Sequence, residues 1–252
     1  MTKAHLIPSF IMKILPSIKC HINNVLSRLG FVFIRKPNPY KFIKEFGIPL
    51  SLIVDVGVAD GTPLLWQLAD SNTNLVLIDP TLTSKDIHKF RRMVKCSLEY
   101  FPVIASDIDH SELYLKLNGR KTSVTHDDCD SIPFMGMRLD TLLNSSSGFL
   151  RKKSSASILK IDVEGHEFSV INGTLKLITT FDFLLIEIGV FFHNGEDFQN
   201  LIDTLYSFNF TLFGCHDAPM NSNGLNGTFD LFLVNKSSYY FQILANGMAL
   251  FK

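Results

Sequence analysis

Short runs of β-branched and aliphatic residues alternate with segments of helical periodicity from residue 50 onward, and this alternation constrains the fold more than any other feature. The predicted strands are residues 51–56, 75–78, 102–105, 157–161, 183–188, 209–213 and 229–234, with a hairpin over 111–126. The predicted helices are residues 61–70, 85–95, 165–178 and 196–207. Repeated βα units build a mostly parallel sheet with helices on both faces. No helix separates the last two predicted strands, so one of them should run antiparallel.

The first 47 residues differ from the rest in charge. They hold eight basic side chains and one acid, which leaves 16 basic and 23 acidic residues for 48–252. Apolar side chains at helical spacing predict two short helices, about 8–15 and 17–29. We therefore expect a basic amphipathic extension, 1–47, and one domain, 48–252. The extension would lie on an anionic membrane surface or a partner, or would form a helical cap on its own domain or on a second subunit in a homo-oligomer.

Composition excludes several classes of protein. The acidic balance of residues 48–252 argues against a nucleic-acid partner, because phosphate contacts need clustered cations. No apolar run reaches the roughly 18 residues of a spanning helix. The four cysteines are scattered without a CxxC pair, which fits a reducing compartment. We expect a cytoplasmic protein, with peripheral contact at the inner membrane surface as an option for the extension.

Two acidic motifs follow the first two predicted strands. The first is Asp55-Val56-Gly57 with Gly61, a D-x-G-x-x-x-G spacing that differs from the dinucleotide fingerprint G-x-G-x-x-G. Its glycines allow a close backbone approach and a sharp turn into the next helix. The second is Asp79-Pro80, some 20 residues further on. A carboxylate there is placed to accept hydrogen bonds from ribose hydroxyls.

Further carboxylates follow the later strands. Asp107 comes after the third predicted strand and could accept a hydrogen bond from an adenine amine. Asp162 and Glu164 end the fourth strand, and Glu187 ends the fifth. Because ligands bind outside the carboxyl ends of parallel strands, we expect these side chains to share one crevice. Glu167 falls in a first helical turn, where we expect it only to cap the helix.

These motifs, in this order, resemble the FkbM-type family of S-adenosylmethionine-dependent methyltransferases. The resemblance covers about residues 50–190 and includes Leu139-Asp140-Thr141-Leu142. Its most distinctive part is the Lys-Ile-Asp-Val-Glu-Gly-His-Glu segment at 160–167. Members of the family often have Glu where Asp79 stands. The segments 1–47 and 216–252 fall outside the resemblance and are expected to decide the acceptor.

The resemblance implies a class I methyltransferase fold, a Rossmann-like seven-stranded sheet with an antiparallel last strand. It also implies that S-adenosylmethionine is the cofactor and that a small molecule or glycan accepts the methyl group, through a hydroxyl of a sugar or a hydroxylated natural product. By the same resemblance Asp55, Gly57 and Gly61 would hold the methionine end of the cofactor. Asp79 would hold the ribose and Asp107 the adenine.

Transfer of a methyl group to a hydroxyl requires a group that accepts the proton. The candidates are Asp162, Glu164, Glu187 and His193, with His166 as a further histidine near the same strand end. His193 and His216 could bind a divalent metal with an acid, but the sequence has no local ligand spacing, and we predict no metal.

Two other readings remain open at this point. The chain could be a non-catalytic interaction module that kept the fold, or a nicotinamide-dependent oxidoreductase on a related sheet. The absent G-x-G-x-x-G motif argues against the oxidoreductase.

Overall fold

A computed structural model describes residues 39–118, 121–125, 131–146, 155–189, 195–217 and 228–249. The two helices predicted within residues 1–38 lie outside these ranges, so both readings of the basic extension stay predictions. Within the described ranges, no helix is long and apolar enough to cross a lipid bilayer.

The described elements alternate between strands and helices. In chain order the strands are β1 (Leu50–Val56), β2 (Asn74–Ile78), β3 (Ser97–Phe101), β4 (Ile104–Ala105), β5 (Ser111–Asn118), β6 (Lys121–Thr125), β7 (Ser131–Met137), β8 (Ala156–Ile161), β9 (Phe183–Gly189), β10 (Phe210–Asp217) and β11 (Thr228–Asn235). The helices are α1 (Pro39–Glu45), α2 (Pro63–Trp66), α3 (Ser84–Met93), α4 (Leu139–Ser145), α5 (Glu167–Asn172), α6 (Gly195–Ser207) and α7 (Tyr239–Ala249), with a 3-10 turn at Ile178–Thr180.

Seven strands form the main sheet in the order β10-β11-β9-β8-β1-β2-β3. The pairs β1–β2, β1–β8, β2–β3 and β8–β9 are parallel. Strand β11 is antiparallel to both of its neighbours, β9 and β10. The sheet is therefore mixed, and the expected seven strands with an antiparallel last strand are confirmed.

Helices cover both faces of this sheet, as predicted. Leu52, Val54 and Val56 of β1 point to one core cluster, which also contains apolar residues of α4, α5 and α6. Ile53, between them, points to the other cluster, which contains residues of α1, α2, α3 and α7. The central strands are buried on both sides, so their sequences are continuous apolar runs rather than alternating ones.

A second sheet, in the order β4-β7-β5-β6, branches off between β3 and β8. The predicted hairpin is confirmed, because β5 and β6 pair antiparallel from Tyr114–Thr125 to Asn118–Lys121. Strand β7 joins the other side of β5, and it was absent from the prediction.

The third strand of the main sheet was predicted at the wrong residues. Residues 97–101 pair with β2, whereas Ile104 and Ala105 of the predicted strand 102–105 pair with β7 in the second sheet. Strand β3 is an edge strand with half-exposed side chains and a glutamate at its centre, so its apolar signal is weak. The short buried pair after Pro102 carries the stronger signal although it belongs elsewhere.

Two helices are shorter than predicted, and helix α1 was not predicted. The helix predicted over 61–70 is the single turn α2, and Thr62 makes no side-chain capping bond to it. The helix predicted over 165–178 divides into α5 and the 3-10 turn. Helix α1 lies within the predicted extension 1–47, and its Ile43 is buried in the same core cluster as Ile53 of β1.

Candidate functional site

A crevice of about 290 Å³ opens at the carboxyl ends of β1, β2, β8 and β9. Four carboxylates and one imidazole line it, those of Asp79, Asp162, Glu164, Glu187 and His166. Leu115 of β5 and Val124 of β6 complete one apolar wall, so the second sheet borders the same space. No Lys or Arg is among the described residues that line the crevice. The predicted gathering of acids at one edge of the sheet is therefore present.

The turn after β1 is fixed by two glycines in the left-handed region. Gly57 has a φ of +78°, and a Cβ added to it would lie 1.7 Å from the Asp162 carbonyl oxygen. Gly61 has a φ of +98°, and a Cβ there would lie 2.7 Å from the Trp66 ring. Gly57 lines the crevice, and its missing side chain lets the chain after β8 pass directly over the end of β1.

Asp55 is fully buried beneath the crevice and does not line it. Its Oδ2 accepts a hydrogen bond of 2.8 Å from Trp66 Nε1, and its Oδ1 lies 3.6 Å from Lys160 Nζ. Burial raises the pKa of this carboxyl, and the Lys160 charge and the Trp66 hydrogen bond oppose the rise. Within the described contacts, Asp55 thus supports the turn from inside the domain.

Asp79 sits at the end of β2 with 5% of its surface exposed and lines the crevice. Its Oδ2 accepts a hydrogen bond of 2.9 Å from the Ala59 N–H, which ties the first strand-end turn to the second. Its Oδ1 accepts from the Thr81 N–H at 2.8 Å and from the Thr81 hydroxyl at 2.7 Å. These bonds fix the orientation of the carboxylate toward the crevice.

Asp107 lies beside the crevice rather than among its described lining residues. Its Oδ1 accepts a hydrogen bond of 3.2 Å from Ser106 Oγ, and its backbone carbonyl accepts one of 2.7 Å from Arg138 Nη1. Arg138 also pairs with Asp140 at 3.1 Å, so the Asp107 loop is held through a buried ion pair.

Asp162, Glu164 and Glu187 come together in the crevice. Asp162 has 27% of its side chain exposed and accepts a hydrogen bond of 2.9 Å from Lys160 Nζ. Glu164 has a φ of +51°, in the left-handed region that residues other than glycine rarely adopt. Glu187 of β9 stands opposite Asp230 of β11 in the sheet register.

The histidines contribute one residue to the described site. His166 lines the crevice at the start of α5, whereas His193 lies outside the described residues. Among the residues that the structure describes, no group of three or more His, Cys, Asp or Glu side chains has the arrangement of a metal site.

About half of the chain matches the model of a known protein family. Residues 92–212 match the model of the methyltransferase FkbM domain. Over this range the chain is similar to the methyltransferase FkbM domain. The resemblance read from the sequence is therefore confirmed over this range. The match includes the Asp107, Asp140 and 160–167 segments, and it begins after the strand ends that carry Asp55 and Asp79.

Several solved methyltransferase structures are similar in overall outline. A magnesium protoporphyrin IX methyltransferase from Synechocystis PCC 6803 with bound SAM is 12% identical, with a TM-score of 0.41 over 92% of this chain and 87% of that chain. A 1,6-didemethyltoxoflavin-N1-methyltransferase from Burkholderia thailandensis is 11% identical, with a TM-score of 0.42 over 94% of each chain. A Streptococcus thermophilus rRNA methylase is 12% identical, with a TM-score of 0.43 over 78% and 93%. Sequence identities and TM-scores this low give no information on the acceptor or the mechanism of this protein. No curated protein matches the chain.

S-adenosylmethionine is the cofactor of FkbM methyltransferases, and the crevice fits it. Asp79 offers a fixed, nearly buried carboxylate of the kind that binds paired ribose hydroxyls. The acidic lining suits a ligand that carries a cationic sulfonium, because opposite charges attract strongly where water is scarce.

Two residues of segment 160–167, Lys160 and Glu167, make contacts that were not predicted from the sequence. Lys160 is buried in β8 and links Asp55 to Asp162. A lysine inside the apolar run Ser-Ile-Leu-Lys-Ile was the signal, since lysine is rarely buried unless it is paired. Glu167 is 1% exposed, and its Oε1 accepts a hydrogen bond of 2.8 Å from the Gly165 N–H. It therefore fixes the turn that carries Glu164 rather than only capping α5.

Glu167 should make the stability of this FkbM domain depend on pH. Burial raises its pKa above the ordinary 4.5, with Asp162 and Glu164 adding to the rise and the Gly165 hydrogen bond opposing it. The folded state therefore keeps the proton to higher pH than the unfolded chain, and stability is lost as pH rises through the folded-state pKa. Each pKa unit of difference between the two states is worth about 1.4 kcal/mol.

Glu167→Gln keeps an acceptor oxygen for Gly165 and removes the titration. Its melting temperature should therefore rise relative to the unaltered protein as pH increases from about 4.5 to about 8. Thermal unfolding at several pH values measures this difference. Glu167→Ala is the matched control, since it also loses the Gly165 bond and should be less stable at every pH. A difference between Glu167→Gln and the unaltered protein that stays constant with pH would contradict the prediction.

Proposed function

We propose that this protein transfers a methyl group from S-adenosylmethionine to a hydroxyl of a sugar, a glycan or a hydroxylated natural product. The observation that carries the proposal is the meeting of three carboxylates, Asp162, Glu164 and Glu187, in the crevice that also holds Asp79. A hydroxyl is nearly neutral at pH 7, so its proton must leave as the new bond forms. Carboxylates in the crevice supply acceptors for that proton.

The bound cofactor supplies a methyl group on a sulfonium, which is already activated for in-line displacement. In this proposal Asp79 accepts hydrogen bonds from the ribose hydroxyls and Asp107 from the adenine amine. Gly57 and Gly61 shape the turn against which the methionine end would lie, and Asp55 holds that turn from beneath through Trp66.

All three carboxylates, those of Asp162, Glu164 and Glu187, are candidates for the proton acceptor among the described residues. Asp162 also accepts a hydrogen bond from the Lys160 ammonium, which fixes its carboxylate where it could balance the sulfonium charge. His193 stays a candidate from the sequence.

The charge of the crevice supports an acceptor without a negative group. The described lining residues include four carboxylates and no Lys or Arg, so a phosphate or carboxylate on the acceptor would be repelled. Neutral hydroxyl compounds meet no such barrier, and their hydroxyl groups can donate hydrogen bonds to the carboxylates.

Incubation with tritium-labelled S-adenosylmethionine and matched acceptor panels tests the proposal. Neutral glycosides and polyhydroxylated compounds should accept label, and their phosphorylated counterparts should accept little.

Glu164→Gln or Glu187→Gln should lower kcat by about 10²- to 10⁴-fold, whichever is the base, with binding of S-adenosylhomocysteine retained. Asp203→Asn, on an exposed position of α6, is the control and should leave kcat unchanged. Label transferred only to amines or thiols would refute O-methylation, and cofactor binding without any transfer would indicate a binding module.

A further inference from the structure

Lys160 is a buried lysine in β8, the middle strand of the main sheet. Every residue of β8 is buried, and Lys160 has only 8% of its surface exposed. An ammonium group removed from water is costly unless it is paired and hydrogen-bonded. Lys160 Nζ lies 2.9 Å from Asp162 Oδ2 and 3.6 Å from Asp55 Oδ1. The two carboxylates therefore account for its burial.

The groups that interact with Lys160 come from three parts of the fold. Asp55 belongs to β1, Asp162 follows β8 and Tyr40 belongs to α1, while Asp230 of β11 acts on Tyr40. Burial alone would lower the pKa of Lys160, but Asp55 and Asp162 outweigh it and the pKa is raised, so the ammonium stays charged. Burial raises the pKa of Tyr40 to about 12, Lys160 opposes the rise, and Asp230, Asp55 and Asp162 add to it. The phenol therefore stays neutral at working pH.

The two carboxylate partners of Lys160 are not equivalent. Asp55 is completely buried and is held by Trp66, so it cannot enter the crevice. Asp162 lines the crevice, and its backbone N–H is fixed by a hydrogen bond of 3.0 Å to the Val56 carbonyl. Its backbone is thus anchored, and the hydrogen bond from the Lys160 ammonium holds its carboxylate in one orientation.

We propose that Lys160 is a positioning residue, which uses buried Asp55 as an anchor to hold the Asp162 carboxylate at the floor of the crevice. The proposal rests on the proposed function in one respect: Asp162 must touch the cofactor or the acceptor for its orientation to matter. Lys160 itself acts through Asp162 and makes no contact with the reacting atoms.

A double-mutant cycle between Lys160→Met and Asp162→Asn tests this role. Lys160→Met should lower methyl transfer by about 10- to 100-fold, since small misplacements of a positioning group cost rates of that order. In the Asp162→Asn background the same change should cost less than about 3-fold, because the carboxylate that Lys160 holds is already gone. Equal losses in both backgrounds would overturn the proposal.

A second cycle separates positioning from simple charge balance. Lys160→Met alone leaves Asp55 buried without a counter-ion, so it should lower the melting temperature. Asp55→Asn removes the unpaired buried charge but keeps a side-chain oxygen that can anchor the Lys160 ammonium. Adding it should therefore recover much of that loss, while Lys160→Met should still cost about 10-fold or more in transfer relative to Asp55→Asn alone. If the activity cost of Lys160→Met vanishes in the Asp55→Asn background, Lys160 serves only to balance Asp55 and the proposal fails.

A crystal structure of the Lys160→Met, Asp55→Asn variant gives a readout independent of activity. The Asp162 side chain should leave its position or occupy more than one rotamer, and an unchanged Asp162 would overturn the proposal. If the unaltered protein methylates no hydroxyl acceptor, the proposed function fails, and this crystallographic comparison still decides whether Lys160 positions Asp162.

Discussion

Replacement of Asp79 by alanine should weaken the binding of S-adenosylhomocysteine by more than about 100-fold. Hydrogen bonds to a charged group contribute roughly 1.5–3 kcal/mol each, and a ribose can offer two. The Asp79 carboxylate also accepts from the Ala59 N–H, so the variant loses the tie between the turns after β1 and β2 as well. Binding energy and the shape of the crevice would be lost together.

Titration calorimetry with S-adenosylhomocysteine measures this effect directly. Asp79→Asn is the matched variant, because it keeps the size of the side chain and one acceptor oxygen, and it should lose only about 10-fold. Thr81→Val removes the neighbouring hydroxyl that donates to Asp79 Oδ1 and keeps the carboxylate, so it should bind nearly as well as the unaltered protein. Unchanged affinity in a folded Asp79→Ala variant would refute the ribose assignment.

Asp140→Ala should destabilise the fold by about 3–5 kcal/mol, because hydrogen bonds to a charged group contribute roughly 1.5–3 kcal/mol each and two backbone amides lose theirs. The Asp140 side chain is 3% exposed and pairs with Arg138 Nη2 at 3.1 Å. Its carboxylate also accepts from the backbone N–H groups of Lys176 at 3.3 Å and Leu177 at 3.1 Å. Alanine would leave these two amide groups without this acceptor, and the Arg138 guanidinium would keep the carbonyls of Asp107 and Asn172.

Thermal unfolding should report a fall of roughly 6–20 °C, since 1 kcal/mol shifts the melting temperature by roughly 2–4 °C in a domain of this size. Asp203→Ala provides the control, because Asp203 is an exposed acid on α6 that accepts one side-chain hydrogen bond, from Gln199. That variant should stay within about 0.5 kcal/mol of the unaltered protein. Equal melting temperatures for the two variants would show that the Arg138–Asp140 pair does not hold the domain together.

The sequence predicts which strand ends meet better than it predicts where their side chains point. Asp79, Asp162, Glu164 and Glu187 follow strands whose carboxyl ends share one edge, so strand order alone brings them together. Asp55 is different, since β1 is buried on both faces and an unbroken apolar run does not reveal which face each residue takes. Its direction toward Trp66 and Lys160 depends on tertiary contacts that are distant in sequence.

The second sheet was predicted only in part for a related reason. Strand β7 reads Ser-Ile-Pro-Phe-Met-Gly-Met, with exposed residues and a proline, and it lacks the alternation of a half-buried strand. It becomes a strand by pairing with β5 on one side and β4 on the other. Such partner-dependent strands leave little trace in local periodicity, and this one pairs with Ile104 and Ala105, which the prediction placed in the main sheet.

The second sheet forms a part of the crevice that can change in evolution separately from the main sheet. Strands β5 and β6 are consecutive in the chain, and through Leu115 and Val124 they form one wall of the crevice. One short exchange of coding sequence could therefore replace this wall while the acids at the ends of β2 and β8 stay in place. The segment after β8 cannot be exchanged in the same way. Its backbone at Asp162 packs so closely on Gly57 that no methyl group fits between them. Replacement of the β5–β6 hairpin should then change which acceptors are methylated, while the crevice carboxylates stay the same. Chimaeras that exchange this hairpin between relatives would test this.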